Sequence, residues 1–265
     1  MRFDYYTASI DAKSDDVIEY RHSSFPLAEV VPSSPKNGYE RACNFVRDDL
    51  VLARIQWGGK ATGTRTWASA SGDRAHHFAS VIRDGFREHN LLRADVAIDY
   101  CEEGAWDSLY SLGIETADMF NLKVRHVGDY HRQEDGRTLY LGSRSSPAMQ
   151  RIYEKGKQLG GDPNHVRSEL EVKPQNSKAK QVYAYASPEQ MWMATRWTQH
   201  VLKVLTGVDG MQPAPPGTIR QLTDDERALE FMAKQYGNIL RRKLEALGGD
   251  IESFGLFVAQ LVGDK

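Results

Sequence analysis

The chain has little cysteine, no long apolar run and almost no net charge. Cys43 and Cys101 are the only cysteines among 265 residues. That is too few for a disulfide framework and points to a reducing compartment. No stretch approaches the roughly 18 consecutive apolar residues of a membrane span. The start, Met1-Arg2-Phe3-Asp4-Tyr5-Tyr6, lacks the apolar core of a secretory signal. The expectation is a cytoplasmic protein with no membrane partner. Lys plus Arg number 34 against 36 Asp plus Glu, a formal charge of −2, so any nucleic-acid role needs a locally basic site. GxxxxGK[ST], GxGxxG and GxSxG are all missing, which removes the motifs of nucleotide hydrolases, dinucleotide enzymes and α/β-hydrolases. His76 and His77 are adjacent and His126 and His131 are five apart, so no His-x-His or zinc spacing occurs.

What is there suits a folded chain: 40% apolar and 26% charged residues can bury one large or two small cores. Aromatic and β-branched runs predict strands at 3–10, 50–57, 63–70 and 93–100, and four short β segments at 122–130, 137–144, 149–157 and 165–173. Helical spacing of Phe78, Val81, Ile82 and Phe86 predicts a helix over 73–90, capped by Ser71 or Asp73, and a second helix runs from about 105 to 120. Residues 11–49 read as irregular. The pattern is α+β: a curved, mainly antiparallel sheet with helices on one face, compatible with a diverged duplication. After Pro174 the composition shifts, dividing 1–175 from a helical region, 176–265. That region holds a helix over 177–207, a Pro/Gly-rich linker at 208–222, a strongly amphipathic helix at 223–247 with Thr223 and Glu226 as a capping box, and a last helix at 250–262. The apolar stripe of 223–247 serves a homodimer or internal packing equally well.

Three strands share a feature. Residues two apart in a strand point to one side. Arg93, Asp95 and Asp99 therefore share a face, as do Arg167, Glu169, Glu171 and Lys173, and Arg151, Tyr153 and Lys155. A wet, half-buried sheet accounts for such alternation on its own. Against that, carboxylates at i and i+2 on two strands repel unless a cation lies between them. Four converging acids suit Mg²⁺ or Mn²⁺, the flanking Arg and Lys suit phosphate, and a phenol among them suits a nucleophile. The combination points to phosphodiester transfer. From Arg137 to Lys157 there are five basic residues and one acid, Glu154, with Tyr140 and Tyr153 available to stack on bases. The run Leu141 to Ser146, with Arg144, reads from its residues as an ordinary turn.

FDYYTASI at 3–10, RADVAIDY at 93–100, TLYLGSRSSPAMQRIYEKGKQ at 138–158, VRSELEVK at 166–173 and ALEFMAKQYGNILRRKL at 228–244 resemble the replication initiation factors of rolling-circle plasmids and filamentous phages. The resemblance implies a metal-dependent single-strand DNA endonuclease and strand transferase. In that scheme a tyrosine nicks one strand of single-stranded or cruciform origin DNA, stays joined to the 5′-phosphate and leaves a 3′-OH primer for host helicase and polymerase. Carried onto this chain, the nucleophile is Tyr153, assisted by Lys155. The metal ligands are Asp95, Asp99 and Glu169, with Glu171 as substitute, and the phosphate clamps are Arg144, Arg151, Lys157, Arg93 and Arg167. The competing readings are a DNA-binding regulator without catalysis and a metal nuclease that uses water.

Overall fold

Alternating apolar residues produce ten strands that join into a single sheet in the computed structural model, which describes residues 1–60, 62–207 and 224–263. The first half runs β1 (Arg2–Ile10), α1 (Ser14–Ser24), β2 (Glu29–Pro32), β3 (Arg41–Arg47), β4 (Leu50–Trp57), β5 (Thr66–Ser71) and α2 (Arg74–Gly85). The second runs β6 (His89–Tyr100), α3 (Ala105–Phe120), β7 (Val124–Val127), β8 (Thr138–Gly142), β9 (Ala148–Tyr153), α4 (Lys155–Leu159), β10 (Val166–Val172) and α5 (Ser177–Ala184). The strand order is β2-β3-β4-β5-β1-β6-β10-β9-β8-β7, and β1 pairs antiparallel with β6 at its centre. Each half is thus a central strand, a helix, a four-strand meander returning to that strand, and a helix. The second half adds α4 between its last two strands.

The helices cover one face. Phe78, Ala79 and Ile82 of α2 pack with Phe3, Tyr6, Ala8 and Ile10 of β1. Trp106, Leu109 and Ala117 of α3 pack with Leu139, Leu141 and Ile152. Each large side chain buried this way contributes roughly 1.5–3 kcal/mol. Gly113 lets α3 lie close to the sheet, because a Cβ there would come within 2.7 Å of a Leu139 methyl. The opposite face carries the alternate residues, which in β6, β9 and β10 are mostly charged.

Several expectations shift. Residues 11–49 hold α1, β2 and β3, whose apolar positions are too few and too interrupted by Pro26, Pro32 and Pro35 to show a period. The segment read as a strand over 149–157 ends at Tyr153, and Lys155 and Lys157 begin α4. Asp73 precedes α2 without a side-chain cap bond. The single helix read over 177–207 is broken into α5, α6 (Pro188–Met191), a short 3-10 turn (Trp192–Ala194) and α7 (Arg196–Thr206), with Ser187 and Thr195 each forming a capping box.

The chain divides into two compact units, Met1–Thr218 and Ile219–Lys265, rather than at 175/176. The reason is burial: Tyr183, Met191, Trp192 and Val201 belong to the same apolar core as β1 and β6, so α5 to α7 are part of the sheet unit. In the second unit α8 (Asp224–Ala246) and α9 (Ile251–Gly263) are joined by a turn with Gly248 and Gly249 at positive φ, and Lys243 Nζ lies 4.7 Å over the Phe257 ring. The linker read at 208–222 and the Thr223 cap lie outside the described residues.

Candidate active site

Tyr153 is the last residue of β9, opposite Thr138 of β8 and Arg167 of β10. The strand stops there because the chain turns at once into α4. Gly156 in that turn sits so near the carbonyl oxygen of Asp162 that a Cβ would lie 1.6 Å from it. With Ile152 turned into the core, Tyr153 and Arg151 face the open side.

The neighbours on that side form a continuous ladder of opposite charges. The Tyr153 hydroxyl donates to Glu169 Oε2 at 2.8 Å, and Arg151 pairs with Glu169 and reaches Asp95 at 3.4 Å. Arg93 donates to both oxygens of Asp95, at 2.7 and 2.6 Å, and pairs with Glu171 at 2.7 Å, which also takes Lys173 at 2.5 Å. Toward the strand ends, Arg167 grips Asp99 through Nε and a terminal nitrogen at 2.6 and 2.9 Å, and donates to Asp4 at 2.8 Å. His165 Nε2 lies 2.9 Å from the same Asp99 oxygen, and Arg2 is 3.4 Å from the other.

This ladder sets the protonation states. Burial pushes the Tyr153 phenol above its ordinary value, and the Glu169 carboxylate beside it adds to the rise, against the opposing charges of Arg167 and Arg151. At rest Tyr153 is a neutral phenol. Burial would raise Glu169 too, but the hydrogen bond and charge of Arg151, with the Tyr153 hydroxyl, hold it below the ordinary carboxylate range. Asp95 goes the other way: burial raises it beyond what Arg93 restores, and the charges of Glu169 and Glu171 add to that. Burial is likewise outweighed at Asp99, where Arg167 and His165 keep the carboxyl low.

Two cavities open beside the phenol. One, of about 240 Å³, is lined by Asp4, Thr138, Tyr140, Arg151, Tyr153, Lys155 and Gln158. The other, of about 340 Å³, shares Thr138, Tyr153 and Gln158 with it. Lys155 Nζ sits 5.6 Å from the centre of the Tyr153 ring and donates to Gln158 at 3.2 Å, so the hydroxyl's own partner is Glu169 and not Lys155.

The four acids do not fit a divalent ion as they stand. Among the described residues no three His, Cys, Asp or Glu side chains come together as a metal group. Asp95 and Glu169 are each 1% exposed, and each is paired with a guanidinium, while Asp99 belongs to the separate Arg167–His165 cluster. The cation that the acidic pattern demands is present, and it is arginine.

Sequence comparison adds a decisive observation. A family model described as replication initiation factor matches residues 89–241, more than half of the chain. The chain belongs to the replication initiation factor family. The match begins at the first residue of β6 and takes in the whole half of the sheet that carries Tyr153. No curated protein matches the chain. Among solved structures, the rolling circle replication initiator protein from Geobacillus stearothermophilus is similar, with a TM-score of 0.56 at 17% identity over 78% of this chain and 96% of that one. At that identity the likeness is one of fold, an α+β unit on a large antiparallel sheet.

Of the basic residues expected to hold DNA in this initiation factor, Arg151 and Lys157 line the cavities beside Tyr153. Lys157 is committed to Glu154 at 3.0 Å and to the Gln133 carbonyl at 2.8 Å. Arg93 and Arg167 are locked in ion pairs, and Arg167 is 4% exposed. Arg144 lies in the β8–β9 turn, five to six strand residues from Tyr153, or roughly 15–20 Å. Asp4, His165, Thr138 and Gln158 join the site without having been singled out. Asp4 sits at a register shift between Phe3 and Tyr5, which breaks the alternation by which a strand residue is assigned to a face. His165 lies just before β10, two residues from Arg167 and on the same alternating face.

Proposed function

We propose that this chain is a rolling-circle replication initiator that nicks one strand of origin DNA with Tyr153. The observation that carries the proposal is Tyr153 in the lining of a polar cavity with Arg151 and Lys155, its hydroxyl bonded to a carboxylate.

The step follows from that geometry. A backbone phosphate enters the cavity between Arg151 and Lys155, which offset its charge. Tyr153 Oη attacks phosphorus; the Oη–P bond forms as the P–O3′ bond breaks. The phenol proton passes to Glu169 Oε2, which is held ionised by Arg151 and so acts as the general base. A free phenolate is costly here, because burial and Glu169 both oppose it, so proton transfer accompanies attack. The 3′-oxygen leaves as the primer end, taking a proton from solvent. One phosphodiester replaces another, so the reverse reaction can close the strand after a round of synthesis.

Every residue that touches Tyr153 falls within 1–175, which we assign to nicking, leaving the helices beyond for origin choice. Origin DNA is the partner, with a helicase and polymerase to use the 3′ end. Mg²⁺ or Mn²⁺, implied by the resemblance, enters no step here because the acids proposed as its ligands are held by arginine.

The test is incubation with supercoiled DNA carrying the origin, followed by denaturing gel analysis. Wild type should give a relaxed plasmid and a protein–DNA adduct, and Tyr153→Phe should give neither. An undiminished adduct in Tyr153→Phe would move the nucleophile elsewhere, with Tyr140 next in line.

A further inference from the structure

The larger cavity beside Tyr153 is left unused by this chemistry. Its lining is Asp135, Gly136, Arg137, Thr138, Tyr153, Glu154, Lys157 and Gln158, and its volume of about 340 Å³ falls within the roughly 300–1,000 Å³ range of small-molecule pockets. It is a formed site. Asp129 accepts the backbone N–H groups of His131 and Arg132 at 2.9 Å each, shaping the loop that forms one wall, and Lys157 ties that loop to α4 through the Gln133 carbonyl.

The two cavities differ in charge. In the smaller one Arg151 and Lys155 face the phenol and suit a phosphate. In the larger one both cations are bonded to one carboxylate, Glu154. Glu154, 4% exposed, accepts the Arg137 backbone N–H at 2.8 Å, its Nε at 3.0 Å and a terminal nitrogen at 2.9 Å, and Lys157 at 3.0 Å. That leaves four groups of the lining without a hydrogen bond among the described residues: the Asp135 carboxylate, the Thr138 hydroxyl, the Gln158 amide nitrogen and the second terminal nitrogen of Arg137. A carboxylate's two adjacent acceptors, with neutral donors in the same lining, suit a base edge better than a phosphate. They match a base edge that presents two adjacent N–H donors beside a carbonyl, which among the DNA bases is guanine: N1–H and N2–H to the carboxylate, O6 to the amide or hydroxyl.

We propose that this cavity selects a guanine on one side of the scissile phosphate, with Asp135 as its specificity-determining residue. The inference rests on the nicking reading above and adds the base that is read.

Random-sequence single-stranded oligonucleotides are incubated with excess full-length protein, and the covalent adducts and released fragments are sequenced. Guanine should be enriched at one position adjacent to the cut. Within the adducts that Asp135→Asn forms, that enrichment should fall about tenfold. Replacing that guanine by inosine, which lacks the 2-amino group, should slow wild type severalfold but not Asp135→Asn. Adducts with no base bias beside the cut, or a guanine bias equal in Asp135→Asn, would overturn the assignment while leaving Tyr153 chemistry intact. Absence of any wild-type adduct overturns the nicking reading and this inference with it.

Discussion

The two halves of the sheet share a topology and a register but not a chemistry. Ser69 of β5 faces Arg54 of β4 just as Glu169 of β10 faces Arg151 of β9, and Trp67 faces Gln56 as Arg167 faces Tyr153. One strand inward, Ser9 stands opposite Trp67 where Asp99 stands opposite Arg167. The first half thus carries Gln, Ser and Trp where the second carries Tyr, Glu and Arg. It is also closed over: Gln56 accepts the Lys36 backbone N–H at 2.7 Å and is 1% exposed, and Arg54 donates to the Ser34 carbonyl. The frame alone therefore does not make a site. What the second half adds is a phenol bonded to an arginine-paired carboxylate and lining two cavities.

The sharpest way to break the comparison is to move one residue of the second half toward the first. Glu169→Gln should lower the nicking rate by about 10²–10⁴-fold, the usual worth of a general base, with origin DNA binding retained in a gel-shift assay. Because Arg151 holds Glu169 below the ordinary carboxylate range, the carboxylate is ionised throughout neutral pH. The acid limb of the wild-type pH–rate profile should accordingly fall below about 4.3, the unperturbed glutamate value. A limb near neutrality would instead point to Asp95, whose carboxyl is raised.

Asp99→Ser copies the first half more gently. It leaves Arg167, almost fully buried, with only Asp4 as counter-charge, and should cost about 2 kcal/mol of stability, read by urea denaturation at pH 7. The sign with pH follows from a carboxyl held low in the folded state. The Asp99 contribution is complete above about 3.9 and is lost as pH falls through its folded value, so wild type and variant should converge in acid.

Much of this was legible beforehand, and the misses have physical causes. Strict alternation in RADVAIDY and VRSELEVK put Asp95, Asp99, Glu169 and Glu171 on one face with their arginines, and that face exists. Carboxylates at i and i+2 ask for a cation, and sequence spacing says nothing of which cross-strand partner supplies one. Arg151 reaches Glu169 only through pairing of β9 with β10, and Arg93 reaches Glu171 only through pairing of β6 with β10. Lys155 was placed one strand step past Tyr153, yet the strand stops at the phenol, where a Gly that tolerates the Asp162 carbonyl starts a helical turn. A proline such as Pro174 marks a break in a strand and not a break in a core: Tyr183 and Trp192, beyond it, share the core of β1 and β6.

The first half has its own anomaly, and it sharpens the rule that matched charge works and unmatched charge costs. Arg21 of α1 is 0% exposed, and its three guanidinium nitrogens have no hydrogen-bond partner among the described residues. The faces of Phe78 and Phe25 lie 3.9 and 4.7 Å from it. Burial lowers it to about 9. Arg21→Met keeps the packing volume and removes the stranded charge, so stability should rise by about 1 kcal/mol, measured by urea denaturation at pH 7. The gain should shrink above pH 9, where the folded wild type sheds the proton that its unfolded form still binds.

The smallest expected effect lies in the second half but away from its chemistry. Arg144 occupies the β8–β9 turn, and among the described residues only its backbone carbonyl has a partner, Lys173 at 3.3 Å. Free of ion pairs and roughly 15–20 Å from Tyr153, it can meet a phosphate two or three nucleotides from the cut. Removing one such contact flattens the dependence of log affinity on log salt by about 0.7 for a single strand and weakens binding about threefold at moderate salt. Arg144→Ala should show both shifts in a fluorescence titration of single-stranded DNA and leave the single-turnover nicking rate at saturating DNA where it was. A lowered rate at saturation would mean that the turn closes on the cut itself, and the ion-paired ladder between Arg144 and Tyr153 would then have to transmit a displacement that its locked guanidinium pairs are poorly built to allow.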